Sequence, residues 1–209
     1  MAHRRLQVFI ATSNIGKLRE LLMLFEPLSH IVEPITPNEL NIMLDFEERE
    51  HTFSETAKAK ALHAAKCTGL LSLAEDSGLE IDALDGFPGR YSARFMGRMT
   101  AYEDKNRAIL DMLRHVPDRQ RTARYRCAMA LAHPDEVIAV VEDIVEGRIA
   151  HEPRGSGGFG YDPIFYLPGL GCTMAQLPLN VKNRISHRGR AFERLRPFLE
   201  QLAQVSDGT

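Results

Sequence analysis

The sequence predicts a mixed α/β fold. Two observations carry that expectation: short β-rich runs alternate with helical spacing through the first half, and two long β-like segments follow in the second. Leu6–Ala11 (LQVFIA) reads as a strand, TSNIGK breaks it, and LRELLMLFEPL places Leu18, Leu21, Leu22 and Phe25 on one side of a helix. Pro34–Glu50 is acidic and irregular, read as a short strand and an exposed loop. Thr52-Phe-Ser-Glu55 has the spacing of a capping box ahead of the alanine-rich TAKAKALHAAKCTG, with Gly69 as the stop. Leu70–Glu75 is the next strand. A second capping box, Thr100-Ala-Tyr-Glu103, opens a helix to about His115, closed by Pro117. Thr122–Ala132 and Val137–Ile149, joined by HPDE, read as an antiparallel hairpin. RGSGGFGYDP, a short strand IFYL and a last amphipathic helix through AFERLRPFLEQLAQ complete the chain, and the site is expected in a cleft.

The bulk numbers exclude some classes of function. A formal net charge of −2 on 209 residues argues against a polyanion partner over the whole surface, so no nucleic acid is expected. The local exception is Lys182–Arg196, with six Lys/Arg against one Glu. Cys67, Cys127 and Cys172 are far apart without CxxC spacing, which reads as reduced thiols and not a zinc site. No apolar run approaches the roughly 18 residues a membrane span needs, and MAHRRLQVFIATSN is too short in its apolar part for a signal peptide. The expectation is a soluble cytoplasmic protein, one domain over residues 1–209 without a separable linker.

Several blocks could carry chemistry. ATSNIGKLRE leaves a strand and opens a helix, where backbone N–H groups and the positive dipole end suit phosphate; a plain capped turn is the competing reading, and the leading glycine of a P-loop is absent. In AEDSGLEIDALDGFPGRYSAR, Glu75 and Asp76 follow an apolar run, as if at a strand end where α/β sites gather. They are either a solvated turn or, with the carboxylates of Glu47-Glu48-Arg49-Glu50, oxygen ligands for Mg²⁺. GSGGFGYDP offers Phe159 and Tyr161 as stacking faces or as core aromatics. In KNRISHRGRA, Lys182 and Ser186 are four apart and would share a helix face beside His187 and Arg188; this is a solvated basic face or a donor cluster for phosphate or a purine 6-oxo edge. His63 and His115 read as structural. Together the blocks supply the parts of a nucleotide pyrophosphatase.

These same blocks, ATSNIGKLRE, TFSETAKAKA, DSGLEIDALDGFPGRYSAR, GGFGYDPIF and KNRISHRGRA, resemble the inosine triphosphate pyrophosphatase family, especially its bacterial dITP/XTP branch, in order across about Val8–Leu195. The resemblance implies two α/β lobes with a long mixed sheet and helices flanking a central nucleotide cleft, in a homodimer. It implies Mg²⁺-dependent hydrolysis of dITP, ITP and XTP to monophosphate and pyrophosphate, which cleanses the nucleotide pool. Carried over by position, Thr12, Ser13, Asn14, Ile15, Gly16 and Lys17 would line the triphosphate site, with Lys17 and Lys60 neutralising charge. Asp76 would be general base and metal ligand, with Glu48 assisting at the metal. Ser77 would contact substrate, Phe159, Gly160, Tyr161 and Asp162 would close over the base, and Lys182 would hold the nucleotide. His187 and Arg188 would read the 6-oxo group.

The chain departs from the family pattern at four places: Thr56 for the usual Asn, Glu75 for the usual Asp, Gln176 for the usual Glu, and LNVKN without the usual acidic residues before Lys182. Three other readings predict different behaviour. A pyrophosphatase for another altered nucleotide, such as a modified pyrimidine, would turn over a different substrate. A catalytically silent nucleotide binder would bind without Mg²⁺-dependent turnover. A nucleic-acid binder would lose affinity steeply with salt.

Overall fold

A computed structural model describes residues 5–43, 46 and 52–207 of the chain. Its eight strands are β1 (Leu6–Ile10), β2 (Val32–Ile35), β3 (Leu71–Ile81), β4 (Pro88–Gly89), β5 (Thr122–Ala132), β6 (Val137–Ile149), β7 (Phe165–Leu167) and β8 (Cys172–Thr173). They form one sheet in the order β2-β1-β3-β5-β6-β7-β8, with β4 on β3. The sheet is mixed: β1 runs parallel to β2 and β3, while β3–β4, β6–β7 and β7–β8 are antiparallel. The helices are α1 (Ile15–Phe25), α2 (Phe53–Thr68), α3 (Tyr102–Met112), α4 (Leu179–Ile185) and α5 (His187–Asp207). Mixed α/β is the fold class the sequence predicts. Among the described residues no helix is long and apolar enough to cross a membrane.

The chain divides into two compact units. The first comprises Met1–Asp76, Cys127–Asp143 and Arg188–Thr209, the second Ser77–Arg126 and Ile144–His187. In the first unit strand alternation makes two cores. Val8 and Ile10, Leu71 and Leu73, Cys127, Met129 and Leu131 pack with Leu21 and Phe25 of α1 and Phe192, Leu195 and Leu199 of α5. Their sequence neighbours Phe9, Ala11, Ala74, Ala128, Ala130 and Ala132 face the other way, onto Phe53, Ala57, Ala61, Ala64 and Ala65 of α2. A strand turns successive side chains to opposite faces, so one sequence feeds both cores. The small residues on both sides of the α2 contact let that helix lie close to its strands. The second unit has one core, in which Leu79, Ile81, Ile109, Leu113, Tyr125, Tyr161, Ile164, Phe165 and Met174 are buried together.

Local signals set several boundaries. Thr52 and Glu55 form the expected capping box of α2, and Gly69 at φ 70° ends it. Strands β5 and β6 have the predicted bounds, and His133 and Glu136 close the turn between them with paired backbone hydrogen bonds of 2.9 and 3.2 Å. The second capping box does not form: α3 starts at Tyr102 with Ala101 as its cap, and the Thr100 hydroxyl donates to the Met96 carbonyl at 2.5 Å instead. With Ala101 in the cap position, the Thr100 oxygen lies one residue too early to accept a first-turn N–H.

One difference bears directly on the site. The strand predicted to end at Glu75 continues to Ile81. Gly78, which reads as a loop residue, lies inside β3 because β4 folds over it: a Cβ there would approach the Ser92 hydroxyl at 2.8 Å and the Gly89 carbonyl carbon at 2.9 Å. Glycine here admits a neighbouring backbone and does not mark a turn.

Candidate active site

Because β3 continues, Glu75 and Asp76 are consecutive residues within a strand, and the pleat sends them to opposite faces. Glu75 shares the parity of Leu71 and Leu73 and faces α1 and α5; Asp76 shares that of Ala74 and faces α2. The acidic pair is therefore two separate sites.

Glu75 is 3% exposed and wholly engaged by basic partners. Arg188, at the start of α5, donates Nε to Oε2 at 2.8 Å and Nη2 to Oε1 at 2.9 Å, a two-pronged pair that fits the guanidinium fork. Lys17 of α1 adds its ammonium 3.2 Å from Oε1, and the Cys127 thiol donates to Oε2 at 3.1 Å. Arg188 Nη1 also donates to Glu20 of α1 at 2.5 Å. Burial alone would raise the Glu75 carboxyl, but the charges of Arg188 and Lys17 and the hydrogen bonds from Arg188 and Cys127 outweigh it and hold Glu75 well below the usual carboxylate range. Burial and the adjacent Glu75 charge push the Cys127 thiol well up, so it stays protonated as a donor. The charge on Glu75 is thus neutralised by Arg188 and Lys17.

Asp76 has different company. Its Oδ1 lies 3.3 Å from the Lys60 ammonium of α2, and the residue is 8% exposed. Lys60 lies three residues from Ala57 and four from Ala64, on the helix face that packs the sheet. Glu48, expected to assist at the metal, lies outside the described residues. Among the described residues no cluster of three or more His, Cys, Asp or Glu side chains forms. The loop ahead of α1 is organised by Asn14, whose side chain accepts the Lys17 backbone N–H at 3.0 Å, while Thr12 Oγ1 accepts the Asn14 N–H at 3.2 Å. One first-turn N–H is therefore used in capping. Ser13 and Ile15 are exposed, Ile15 by 83%, and Gly16 is half-buried.

In the second unit, Asp162 is the hub. Its Oδ2 accepts the Phe159 backbone N–H at 2.8 Å and the ammonium of Lys182 on α4; both ionic residues are buried. The Lys182 ammonium lies over the Phe159 ring, 4.8 Å from its centroid, a cation–π contact. Gly158 makes this possible: it adopts φ +68°, and a Cβ there would meet Asp162 Cγ at 3.0 Å and Lys182 Nζ at 3.1 Å. The His187 ring stacks on Tyr125 at 4.6 Å and 13°. Burial first and the nearby Asp162 carboxylate second push the Tyr125 phenol well above its ordinary range. Tyr161 is 2% exposed, edge-on to Tyr102 at 5.3 Å, and donates its hydroxyl to the Ser92 carbonyl at 2.8 Å. Of the two aromatics in GSGGFGYDP, Tyr161 is thus a core residue and Phe159 a half-buried one. Gly160 is half-buried, its carbonyl accepting from Asn106 at 3.2 Å, and Ser77 is half-buried on β3.

The structure therefore gathers Lys17, Lys60, Asp76 and Arg188 in one unit, and Ser77, Phe159, Asp162, Lys182 and His187 in the other. His187 and Arg188, expected to act as a pair on one base edge, have unrelated partners: an aromatic face and two carboxylates. Ser186 does not share the α4 face with Lys182, because it is the residue where α4 stops, extended at φ −69° and ψ 160°. Two of the departures from the family pattern, Thr56 and Gln176, find local partners. The Thr56 hydroxyl donates to the Thr52 carbonyl at 2.9 Å, and the Gln176 carbonyl oxygen accepts the Thr173 N–H at 2.9 Å, a contact an amide supports as well as a carboxylate does. Sequence reasoning missed Glu20, Tyr125 and Cys127. For Glu20 a signal existed, since it stands three residues after Lys17 on the same helical face.

The Ham1 family model matches residues 8–198. The chain belongs to the Ham1 family. It is 45% identical over 197 residues to a protein of Desulforamulus reducens named dITP/XTP pyrophosphatase, covering 94% of this chain and 97% of that one. A Bacillus subtilis protein of the same name is 43% identical over 194 residues, covering 93% and 97%. Among solved structures, a HAM1 protein from Coxiella burnetii superposes with a TM-score of 0.82 at 40% identity, covering 94% of this chain and 99% of that chain. The nucleoside-triphosphatase / dITP/XTP pyrophosphatase of Mycobacterium abscessus gives 0.72 at 38%, covering 92% and 100%.

Proposed function

We propose that this Ham1-family protein hydrolyses the non-standard purine nucleoside triphosphates dITP, ITP and XTP to the monophosphate and pyrophosphate, in the cytoplasm and as a homodimer. The names of its relatives support the substrate class. The observation that carries the chemistry is the separation of the two adjacent carboxylates. Glu75 is consumed in holding Arg188 and Lys17, whereas Asp76, on the opposite face of β3, lies 3.3 Å from the Lys60 ammonium of α2. Asp76 is therefore the carboxylate suited to orient the attacking water and to take its proton, with Lys60 poised to balance charge on the phosphates.

The donor chemistry fits Mg²⁺, which is commonly held by one or two carboxylates together with substrate phosphates and water. Asp76 would hold it, and when bound it would offset negative charge on the phosphate oxygens. Glu75 is excluded from that role by its partners. At the base end, His187 and Lys182 present N–H donors, which match a 6-oxo group and meet a 6-amino group donor to donor. An unpaired buried donor costs roughly 1–3 kcal/mol, so adenine nucleotides are rejected.

A substrate panel of dITP, XTP, dATP, dGTP and dUTP, incubated with and without Mg²⁺ and assayed separately for pyrophosphate and orthophosphate, tests this. Pyrophosphate released chiefly from dITP and XTP is the expected result. Binding of dITP without any turnover would mark the protein as a silent nucleotide binder. Light scattering on the same sample reads the dimer.

A further inference from the structure

Tyr125 stands in the middle of β5, 7% exposed, in the core of its unit. A purely space-filling position there would suit phenylalanine, since a buried phenol needs a hydrogen-bond partner. The carboxylate near its hydroxyl is Asp162, which already holds the Phe159 N–H and Lys182. Its ring contacts two others, tilted 36° against Phe165 at 4.4 Å and nearly parallel to His187 at 4.6 Å. An imidazole donates in its own plane, so a parallel neighbour that fixes the plane also fixes where the N–H points. Placement on a central strand makes the support rigid, as a site built for geometry requires.

We infer that Tyr125 is a positioning residue for base recognition: its ring sets the plane of the His187 imidazole, its hydroxyl sets the Asp162 carboxylate, and one side chain thereby aligns both groups. This rests on the reading of the protein as a 6-oxo-purine nucleotide pyrophosphatase. The two functions of the residue are separable. Tyr125→Phe keeps the ring and deletes the contact to Asp162; Tyr125→Leu deletes both.

The test uses the full chain with Mg²⁺, measuring kcat and KM for dITP and dATP, alongside the ring-proton resonance of His187 in ¹H–¹³C spectra. In Tyr125→Phe, KM for dITP should rise roughly tenfold, the scale of a lost hydrogen bond to a charged group, with kcat little changed. The ring-current shift of the His187 proton should persist there. In Tyr125→Leu the shift should vanish and the preference for dITP over dATP should fall. A packing role alone would lower stability without splitting KM from kcat, and Tyr125→Phe decides the matter even if Tyr125→Leu fails to fold. An active wild type whose Tyr125→Phe variant keeps its KM, or a wild type with no ring-current shift at His187, overturns the role and leaves the pyrophosphatase reading standing. A wild type that does not hydrolyse dITP overturns the reading itself, and the role with it.

Discussion

The polar cluster around Glu75 and the one around Asp162 are both buried, yet they are built on different principles. The first is made of full charges: Arg188 and Lys17 against Glu75 and Glu20. The second combines the Asp162–Lys182 ion pair with flat faces: the Phe159 ring under the Lys182 ammonium, and Tyr125 stacked on His187. The first kind balances its own charge and holds the fold, which in the proposed reaction leaves phosphate to Lys60 beside Asp76. Planar surroundings with a few aimed donors suit a purine, where geometry discriminates.

The largest expected effect separates the two adjacent carboxylates. Asp76→Asn should lower kcat by about 100- to 10,000-fold, the range for loss of a general base, while leaving the fold intact by urea denaturation. Full activity in that variant would exclude Asp76 as the base.

Next in size is the contrast between the two buried arrangements. Arg188→Met takes the guanidinium away from both Glu75 and Glu20, and breaking such a buried pair costs about 3–5 kcal/mol, readable from the urea midpoint and slope. Lys182→Met takes its ammonium from one carboxylate, Asp162, which retains the Phe159 N–H, so its loss should be the smaller. The reverse order would contradict the difference in charge density drawn above.

The clusters should also fail at opposite ends of the pH scale. The Glu75 carboxyl is depressed in the folded protein, so the stability it contributes is present above the unfolded value of about 4.3 and is lost as pH falls below it. Tyr125 is raised, chiefly by burial, so its contribution is present below the unfolded value of about 10 and is lost as pH rises beyond it. Urea midpoints across pH should show the acid limb removed in Glu75→Gln and the alkaline limb softened in Tyr125→Phe. Retention of both limbs in both variants would refute the assignment.

Much of the fold was legible because its signals are local. The α2 capping box, the Gly69 stop and the β5–β6 turn each lie within a few residues of the element they define. The Glu75–Asp76 strand was not legible, because its continuation depends on β4 closing over Gly78, a contact that no window around Asp76 contains. The Arg188 partners were hidden for the same reason: Glu20 is 168 positions away and Glu75 is 113. Residue types suggested the chemistry; the strand's alternation and its long-range pairing sent the two carboxylates to different partners. The smallest prediction measures a local signal against its context. Thr52→Ala should cost about 1 kcal/mol, because the cap it removes is formed. Thr100→Ala should stay within about 0.5 kcal/mol, because its cap is not.

The division between phosphate handling and base reading is tested most directly by kcat/KM for dITP and dATP in Lys60→Met and His187→Leu. The account predicts that Lys60→Met lowers both substrates by a similar factor and preserves their ratio. His187→Leu should instead collapse the ratio, by roughly the 1–3 kcal/mol of one buried contact. A ratio lost in Lys60→Met and preserved in His187→Leu would contradict it.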